Sequence, residues 1–491
     1  MAEQTLEQIK KIRLEKVQKL HDLGINPYPS KTKGTTVPIV NIRESHFAEA
    51  SRDDFVEVAG RLMSYREHGN IIFADLKDES GKIQLLFQKK TLEDNFKTLK
   101  LLDVGDFLYA KGKVFKTQAG ETTVDVIDYQ LLSKSIRPLP STWHGLKDVE
   151  ERYRKRYLDL MFNPDVKIRF DTRVKLVREI RRYLDDLGYS EVETPTLQPL
   201  YGGANAKPFK TYHNALDSEF YLRIADELYL KRLIVAGYEK VYEICKDFRN
   251  EGIDQVHSPE FTMIEYYAAY TDYQNVMDVT EGLFKHLAQK LFGEMKIKVD
   301  ENEIDIGKSW PRISMVDIVK DNLEIDVNSM SLDELNSYCK DKRLDLVGGE
   351  TKGQLIFLIF DKLISKTLME PTWIIDYPRD VSPLSKLKDE VGDWVERFEG
   401  YIGGKEICDG WSELTDPIDQ RERFEDDVKA ARKDKEEAQQ VDEDFIEAME
   451  YGMPPIGGIG IGIDRLTMFF TNTWMIKEVI LFPTLKPGNK E

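Results

Sequence analysis

The 491-residue sequence predicts an α+β fold: a small β-barrel ahead of a large antiparallel sheet domain flanked by helices. Three observations predict it. Between Phe55 and Leu132 the chain breaks into five short β-type runs around one helical stretch. Beyond about residue 166, strands and helices alternate irregularly, without the βαβ repetition of a doubly wound sheet. The length, at roughly 150 residues per domain, allows about three units.

Taken in order, residues 3–23 read as one helix with Leu6, Ile9, Val17 and Leu20 on one face. Gly24 ends it, and INPYPS (25–30) is a turn-rich connection. FVEVAGRL, NIIFADLKD, KIQLLFQ, DFLYAKGKVF and TTVDVID follow, parted by turn signals such as Glu79-Ser80-Gly81 and Ala119-Gly120, with a helix over 91–102. Five strands and one helix are the content of an OB-fold barrel. Pro138 and Pro140 mark a linker to the basic stretch VEERYRKRYLDL. A helix over 166–187 then precedes the strand-like SEVETPTL, and the charged segment 416–449 reads as one long exposed helix. The divisions are 1–50 (helix and linker), 51–135 (OB-fold barrel), 136–165 (linker) and 166–491 (the large α+β domain).

Composition narrows the function. A net charge of −18 argues against non-specific nucleic-acid binding, because phosphate neutralisation needs Lys and Arg. Two local basic gatherings remain, Lys10 to Lys19 and Arg152 to Arg156, each either a solvated helix face or an RNA contact. The cysteines, Cys245, Cys339 and Cys408, form neither a disulfide framework nor a CxxC pair, and no zinc-ligand spacing appears. Without an apolar signal segment or a run of about 18 apolar residues, the expectation is a cytoplasmic protein with no membrane contact.

Familiar phosphate cradles fail. Gly307-Lys308-Ser309 has Asn302 where a Walker A loop needs its first glycine. PIGGIGIGIDR (455–465) spaces its glycines as G-x-G-x-G, with no βαβ unit after it. If the protein uses ATP, arginines and metal-bound carboxylates must hold the phosphates. Phe248-Arg249-Asn250-Glu251-Gly252, followed by His257 and PEFTMIE (259–265), offers an arginine fork for phosphate and an aromatic for a base. The plainer reading is a turn between two strands, with Arg249 paired to a neighbouring acid.

This composite resembles motif 2 of class II aminoacyl-tRNA synthetases. GYSEVETPTL (188–197) resembles motif 1 and GIGIDR (460–465) motif 3. The OB-type segment in front is that of subclass IIb, the lysine, aspartate and asparagine group. YGGANAKPF (201–209), HNALD (213–217), ELYLKRL (227–233), SPL (382–384), KEICDGWSEL (405–414) and EYGMPPIGGIGIGIDR (450–465) are similar to bacterial lysyl-tRNA synthetases. The resemblance implies activation of L-lysine by ATP, transfer to the 3′ end of tRNA(Lys), Mg²⁺ as cofactor and a homodimer through motif 1.

It also assigns residues. Arg249 and Arg465 are the expected catalytic arginines, on the α- and γ-phosphates. Glu251, His257 and Phe261 join them around ATP. Glu399 and Glu406 are the expected Mg²⁺ carboxylates, a hard-donor pair suited to that ion. Glu227, Glu413 and Tyr267 are expected on the lysine ammonium, which needs charged and polar partners when taken from water. The sister enzymes for aspartate and asparagine typically carry Gln where Glu227 stands. Gly203 and Glu265 are expected at the α-ammonium. In the barrel, Arg66, Phe73, Gln84 and Glu121 are expected on the anticodon, with a barrel-core role as the other reading of Phe73.

Three positions depart from the pattern. Asp226 stands where the family usually has proline, and Asp409 and Trp411 replace Asn and Phe or Tyr in the amino-acid pocket. An ionised Asp409 would repel the substrate carboxylate unless it is protonated, bridged by a cation or water, or turned away. Trp411 should narrow the pocket floor. The alternatives to a lysine ligase are a paralogue moving lysine or β-lysine to a protein, and a non-catalytic RNA-binding regulator.

Overall fold

The computed structural model describes residues 5–45, 55–140, 146, 148–388, 392–430 and 441–487. They form two compact units, Met1–Gly145 and Leu146–Glu491.

In the first unit, the helix Leu6–Asp22 opens on a capping box in which the Thr5 hydroxyl accepts from the Gln8 N–H. Of the expected apolar face only Leu20 is buried, beside Arg13. Arg13 donates to the Ser135 carbonyl at 2.9 Å and the Val104 carbonyl at 3.2 Å, and Lys16 pairs with Asp103 at 2.7 Å. Part of this basic cluster is therefore an internal tie. Strands β1 (Phe55–His68), β2 (Ile71–Lys77), β3 (Lys82–Gln88), β4 (Phe107–Lys116) and β5 (Thr122–Ser133) close into a barrel in the order β1-β2-β3-β5-β4. Alternation sets the faces: Ile72, Ala74, Leu76, Ile83, Leu85 and Phe87 fill the interior. The helical stretch between β3 and β4 is one α-turn, Lys89–Leu92, running into a 3-10 segment, Glu93–Leu101.

The second unit holds the short strands β6 (Ser190–Glu191), β7 (Leu197–Gln198), β8 (Lys210–His213) and β9 (Ser218–Leu222). After them come β10 (Lys240–Phe248), β11 (Glu260–Ala269), β12 (Lys296–Val299), β13 (Asn302–Asp305), β14 (Arg312–Ser314), β15 (Thr372–Pro378), β16 (Trp394–Ile402), β17 (Lys405–Ser412) and β18 (Ile456–Gly462). Eight form the main sheet, ordered β14-β15-β16-β17-β18-β11-β10-β6. Its interior pairs are antiparallel, and only the two edge strands, β14 and β6, pair parallel.

Period-two alternation gives this sheet two characters. One face carries Tyr242, Ile264, Tyr266, Ile459, Ile461 and Phe398. They pack under two helices, Pro164–Asp186, bringing Leu176, Ile180 and Leu184, and Tyr273–Phe292, bringing Met277, Phe284 and Leu287. The opposite face is polar. Glu243, Glu265, Gly460, Asp409 and Glu399 lie opposite one another in a row across five strands, with Val241, Tyr267, Gly458, Trp411 and Arg397 as the next row.

The basic stretch after the linker is also structural. Arg156 is fully buried, bound to Asp159 and to the carbonyls of Leu481 and Lys477, and Arg152 pairs with Asp159 and Glu478. The expectation of one long helix over 416–449 is corrected at 441–442, which are not helical, while 431–440 lie outside the described residues. Pro417–Ala430 and Glu443–Glu450 are separate helices, packed together through buried Phe424, Phe445, Ile446 and Met449. Charge density hid this apolar seam. Phe284 touches the aromatic rings of Trp310, Phe469 and Phe470. Phe284→Ala should cost about 3–5 kcal/mol, measured as an earlier urea midpoint of the second unit. An unchanged midpoint would mean that the core tolerates the void.

Candidate active site

The polar sheet face forms the floor of a cavity of about 400 Å³, lined by Gly203, Glu227, Arg249, Glu251, His257, Phe261, Glu265, Tyr267, Glu406, Asp409, Trp411 and Arg465 among others. Glu399 and Glu413 are buried and lie outside this lining.

At one end, β10 and β11 present Arg249 and Phe261. The guanidinium lies 5.1 Å from the Phe261 ring centre and donates to the Ile224 carbonyl at 3.4 Å. Among the described residues it has no ion pair, so the plain reading of an arginine tied to a neighbouring acid does not hold. Arg465, at the start of the helix Ile463–Phe470, stands 3.5 Å from Glu406 and 3.3 Å from the His257 ring, whose other nitrogen meets Asp254 at 2.8 Å. Its neighbour Asp464 is anchored by Arg173 at 2.6 Å and by the Thr262 N–H at 2.7 Å.

Glu399 and Glu406 share a face because of a bulge. Gly400 pairs Cys408 but Tyr401 pairs Glu406, so one extra residue in β17 turns Glu406 to the side of Glu399. Glu406 is half-exposed in the cavity. Glu399 is closed in: Arg397 donates to one oxygen at 2.8 Å and the Tyr401 hydroxyl to the other at 2.5 Å. Burial lifts its carboxyl to about 8, against the pull of Arg397. As a donor set for Mg²⁺, Glu406 fits as an open carboxylate, and that ion commonly takes one or two carboxylates with phosphates and water. Glu399 fits only through lone pairs left over from its two present bonds.

The other end holds the residues expected around the amino acid. Glu227 opens the helix Glu227–Val235, and Lys231, one turn later, is fully buried against both Glu227 and Glu413. Trp411 Nε1 donates to Glu413 Oε2 at 2.7 Å, while Glu413 Oε1 has no hydrogen-bond partner. Burial raises the Glu413 carboxyl to about 8, against the Lys231 ammonium and helped by Glu227. Two carboxylates and one ammonium leave a single uncompensated negative charge when both are ionised. The Tyr267 hydroxyl donates to Glu265 at 2.8 Å. Gly458 is required here: a Cβ would fall 2.3 Å from the Tyr267 ring and 2.5 Å from Glu413 Oε1. Gly203, at φ +86°, brings the chain beside Glu227.

Asp409 is bridged by a cation. Arg397 grips it with two bonds, 3.0 and 2.9 Å, and is itself fixed by the Val381 carbonyl at 2.7 Å. The carboxyl sits at about 6, raised by burial and held down by Arg397. Lys231 and Arg397 escaped the sequence reading. Their signals were present, an i+4 spacing after Glu227 and an i−2 spacing before Glu399, but both spacings are common in any charged segment.

In the barrel, Arg66 pairs across from Phe73 on β1 and β2, and Phe73 across from Leu86 on β3. Phe73 is half-buried and absent from the barrel core, which disposes of its core reading. Gln84 lies on the same face and accepts from the Thr123 hydroxyl at 2.9 Å. Glu121 is exposed in the turn before β5, its N–H donating to Thr117 Oγ1 at 3.0 Å.

With this geometry in place, comparison gives two family matches. Residues 148–486 match tRNA synthetases class II (D, K and N), and residues 56–139 match the OB-fold nucleic acid binding domain. The chain is 48% identical over 486 residues to the lysine--tRNA ligase of Thermoanaerobacter sp. (strain X514), covering 99% of this chain and 97% of that one. It is 47% identical to those of Clostridium tetani (96% and 95% covered) and Syntrophomonas wolfei subsp. wolfei (100% and 99%). The chain belongs to the lysine--tRNA ligase family of class II tRNA synthetases.

Lys231→Met should leave Glu227 and Glu413 facing each other without a cation. The loss is about 3–5 kcal/mol, measured as a lower urea midpoint. A variant as stable as the parent would mean that the two carboxyls share a proton instead.

Proposed function

We propose that this cavity makes lysyl-adenylate and that the enzyme then charges tRNA(Lys) with L-lysine. Ligase activity on lysine and tRNA follows from family membership. The assignment of that chemistry to particular residues is our inference. It rests on one observation: a single cavity joins a cationic end, Arg249 and Arg465, to an anionic end, Glu227 and Glu265.

Lysine enters with its ε-ammonium toward Glu227, Glu413 and Tyr267, where one negative charge is left uncompensated once both glutamates are ionised. Its α-ammonium meets Glu265 beside Gly203. ATP lies over Phe261, with Glu251 and His257 near the adenine and the bent phosphates. The lysine carboxylate attacks the α-phosphate, an oxygen–phosphorus bond forms, and the bond to the departing pyrophosphate breaks. Arg249 holds the charge that builds on the α-phosphate, and Arg465 holds the γ-phosphate. Releasing Arg465 from Glu406 frees both for their ligands. Mg²⁺, held through Glu406 with Glu399 behind it, would neutralise phosphate charge. The 3′-hydroxyl of tRNA then takes the lysyl group and AMP leaves. No protein nucleophile is needed; the protein positions groups and stabilises charge.

Arg397 answers the question posed by Asp409. Its guanidinium neutralises that carboxylate, so the substrate carboxylate meets an ion pair instead of a bare negative charge. On the barrel, Phe73 offers a stacking platform, with Arg66, Gln84 and Glu121 supplying polar contacts to anticodon bases. The motif 1 segment serves as the interface of a homodimer. An enzyme using ATP and tRNA in this way works in the cytoplasm.

ATP–pyrophosphate exchange across the twenty amino acids and β-lysine tests the pocket: exchange with lysine alone is expected, and exchange with another substrate would withdraw the ammonium assignment. Arg249→Ala should lower exchange by about a hundredfold or more while tRNA binding persists. Phe73→Ala should spare exchange and weaken aminoacylation by about tenfold. If both variants fail at the same step, the division of labour between cavity and barrel is wrong.

A further inference from the structure

Asp226 is completely buried at the head of the helix Glu227–Val235, yet does not cap it. Neither of its carboxyl oxygens has a hydrogen-bond donor. Its side chain lies with those of Asp247 and Glu265, one oxygen of each within 4.8 Å of the others, and Glu243 and Cys245 close the other side. Glu227, next in the chain, and Tyr267, on β11, add charge and a phenol nearby. The cations facing the group are Arg223, 2.8 Å from Glu243 and 3.4 Å from Asp247, and Arg249, whose charge acts on Asp247. None of them donates to Asp226.

Three carboxylates this close and this dry cannot all be ionised. We propose that Asp226 is a positioning residue that carries a proton and donates it toward Glu265, favouring the ionised form of that carboxylate and aiming it at the substrate α-ammonium. Glu265 is the right acceptor. Its Oε2 already receives the Tyr267 hydroxyl, and no donor reaches its other oxygen from a neutral amide or cation among the described residues. Burial, reinforced by the neighbouring charges, pushes the Asp226 carboxyl far up and lifts Glu265 to about 8, a rise that a proton donated by Asp226 would oppose. Asp247 is spared the proton because Arg223 and Arg249 support its charge.

The inference rests on reading Glu265 as the α-ammonium acceptor, so the test has an arm that needs no substrate. Infrared difference spectra of the parent against Asp226→Asn, at neutral pH without ligands, should show the carbonyl stretch of a protonated carboxyl in the parent alone. Its absence overturns the proton. In lysine-dependent exchange, Asp226→Asn keeps an N–H donor and should hold KM for lysine within about twofold. Asp226→Leu keeps the bulk without a donor and should raise KM about tenfold or more with kcat little changed, the size of a lost hydrogen bond to a charged group. Equal KM values for the two variants would overturn a part for that donation in lysine binding. So would a stoichiometric divalent metal found in the parent enzyme and lost in Asp226→Asn, because the cluster would then hold an ion where we place a proton. A protonated Asp226 together with equal KM values would locate the error in the role of Glu265, not in the proton.

Discussion

Charge placed on a sheet face that excludes water must be compensated within the sheet, and that constraint organises the catalytic unit. Glu243, Glu265, Asp409 and Glu399 cross five strands in one row. Each is answered by a group in direct contact: Arg223, the Tyr267 hydroxyl, and Arg397 for the last two. Unpaired, such groups would cost several kcal/mol each. The apolar face behind, built on Tyr266 and Phe284, keeps the strands in register so that these pairs meet.

The compensation stops short of neutrality where ligands are expected. Lys231 balances one of two glutamates, and Glu413 keeps an oxygen without a donor. Arg249 has an aromatic ring and a carbonyl but, among the described residues, no ion pair. A folded chain tolerates such deficits where a ligand of opposite sign completes them. The glycines of β18 serve the same end: Gly458 and Gly460 leave room for Tyr267, Glu413 and Met263 to lie over the strand.

Sequence motifs made much of this legible. The barrel, the long helix after the linker and the residues of the three motifs are local patterns, and family likeness supplied roles that spacing could not. What escaped was pairing across strands. Nothing in RFEGYIGGKEICDGW indicates that Arg397 will grip Asp409, because that contact depends on hairpin register and on a bulge at Ile407. Asp226 was visible only as a departure, and its isolation from donors needed two strands and a helix to be assembled around it. The basic clusters misled in the opposite direction. Arg13 and Arg156 lie inward on carbonyls and acids, where composition alone suggests a solvent-facing charge.

One further feature follows from the same dry packing. Cys245, Cys339 and Cys408 are all buried, and burial raises each thiol above its ordinary range. The thiolate is the species that peroxides and alkylating agents attack. A native chain therefore offers such reagents almost nothing to react with, although Cys408 lies in the floor of the cavity itself. The chemistry of amino-acid activation is insulated from the redox state of its surroundings, and a reactive thiol in this protein marks a molecule that has begun to unfold.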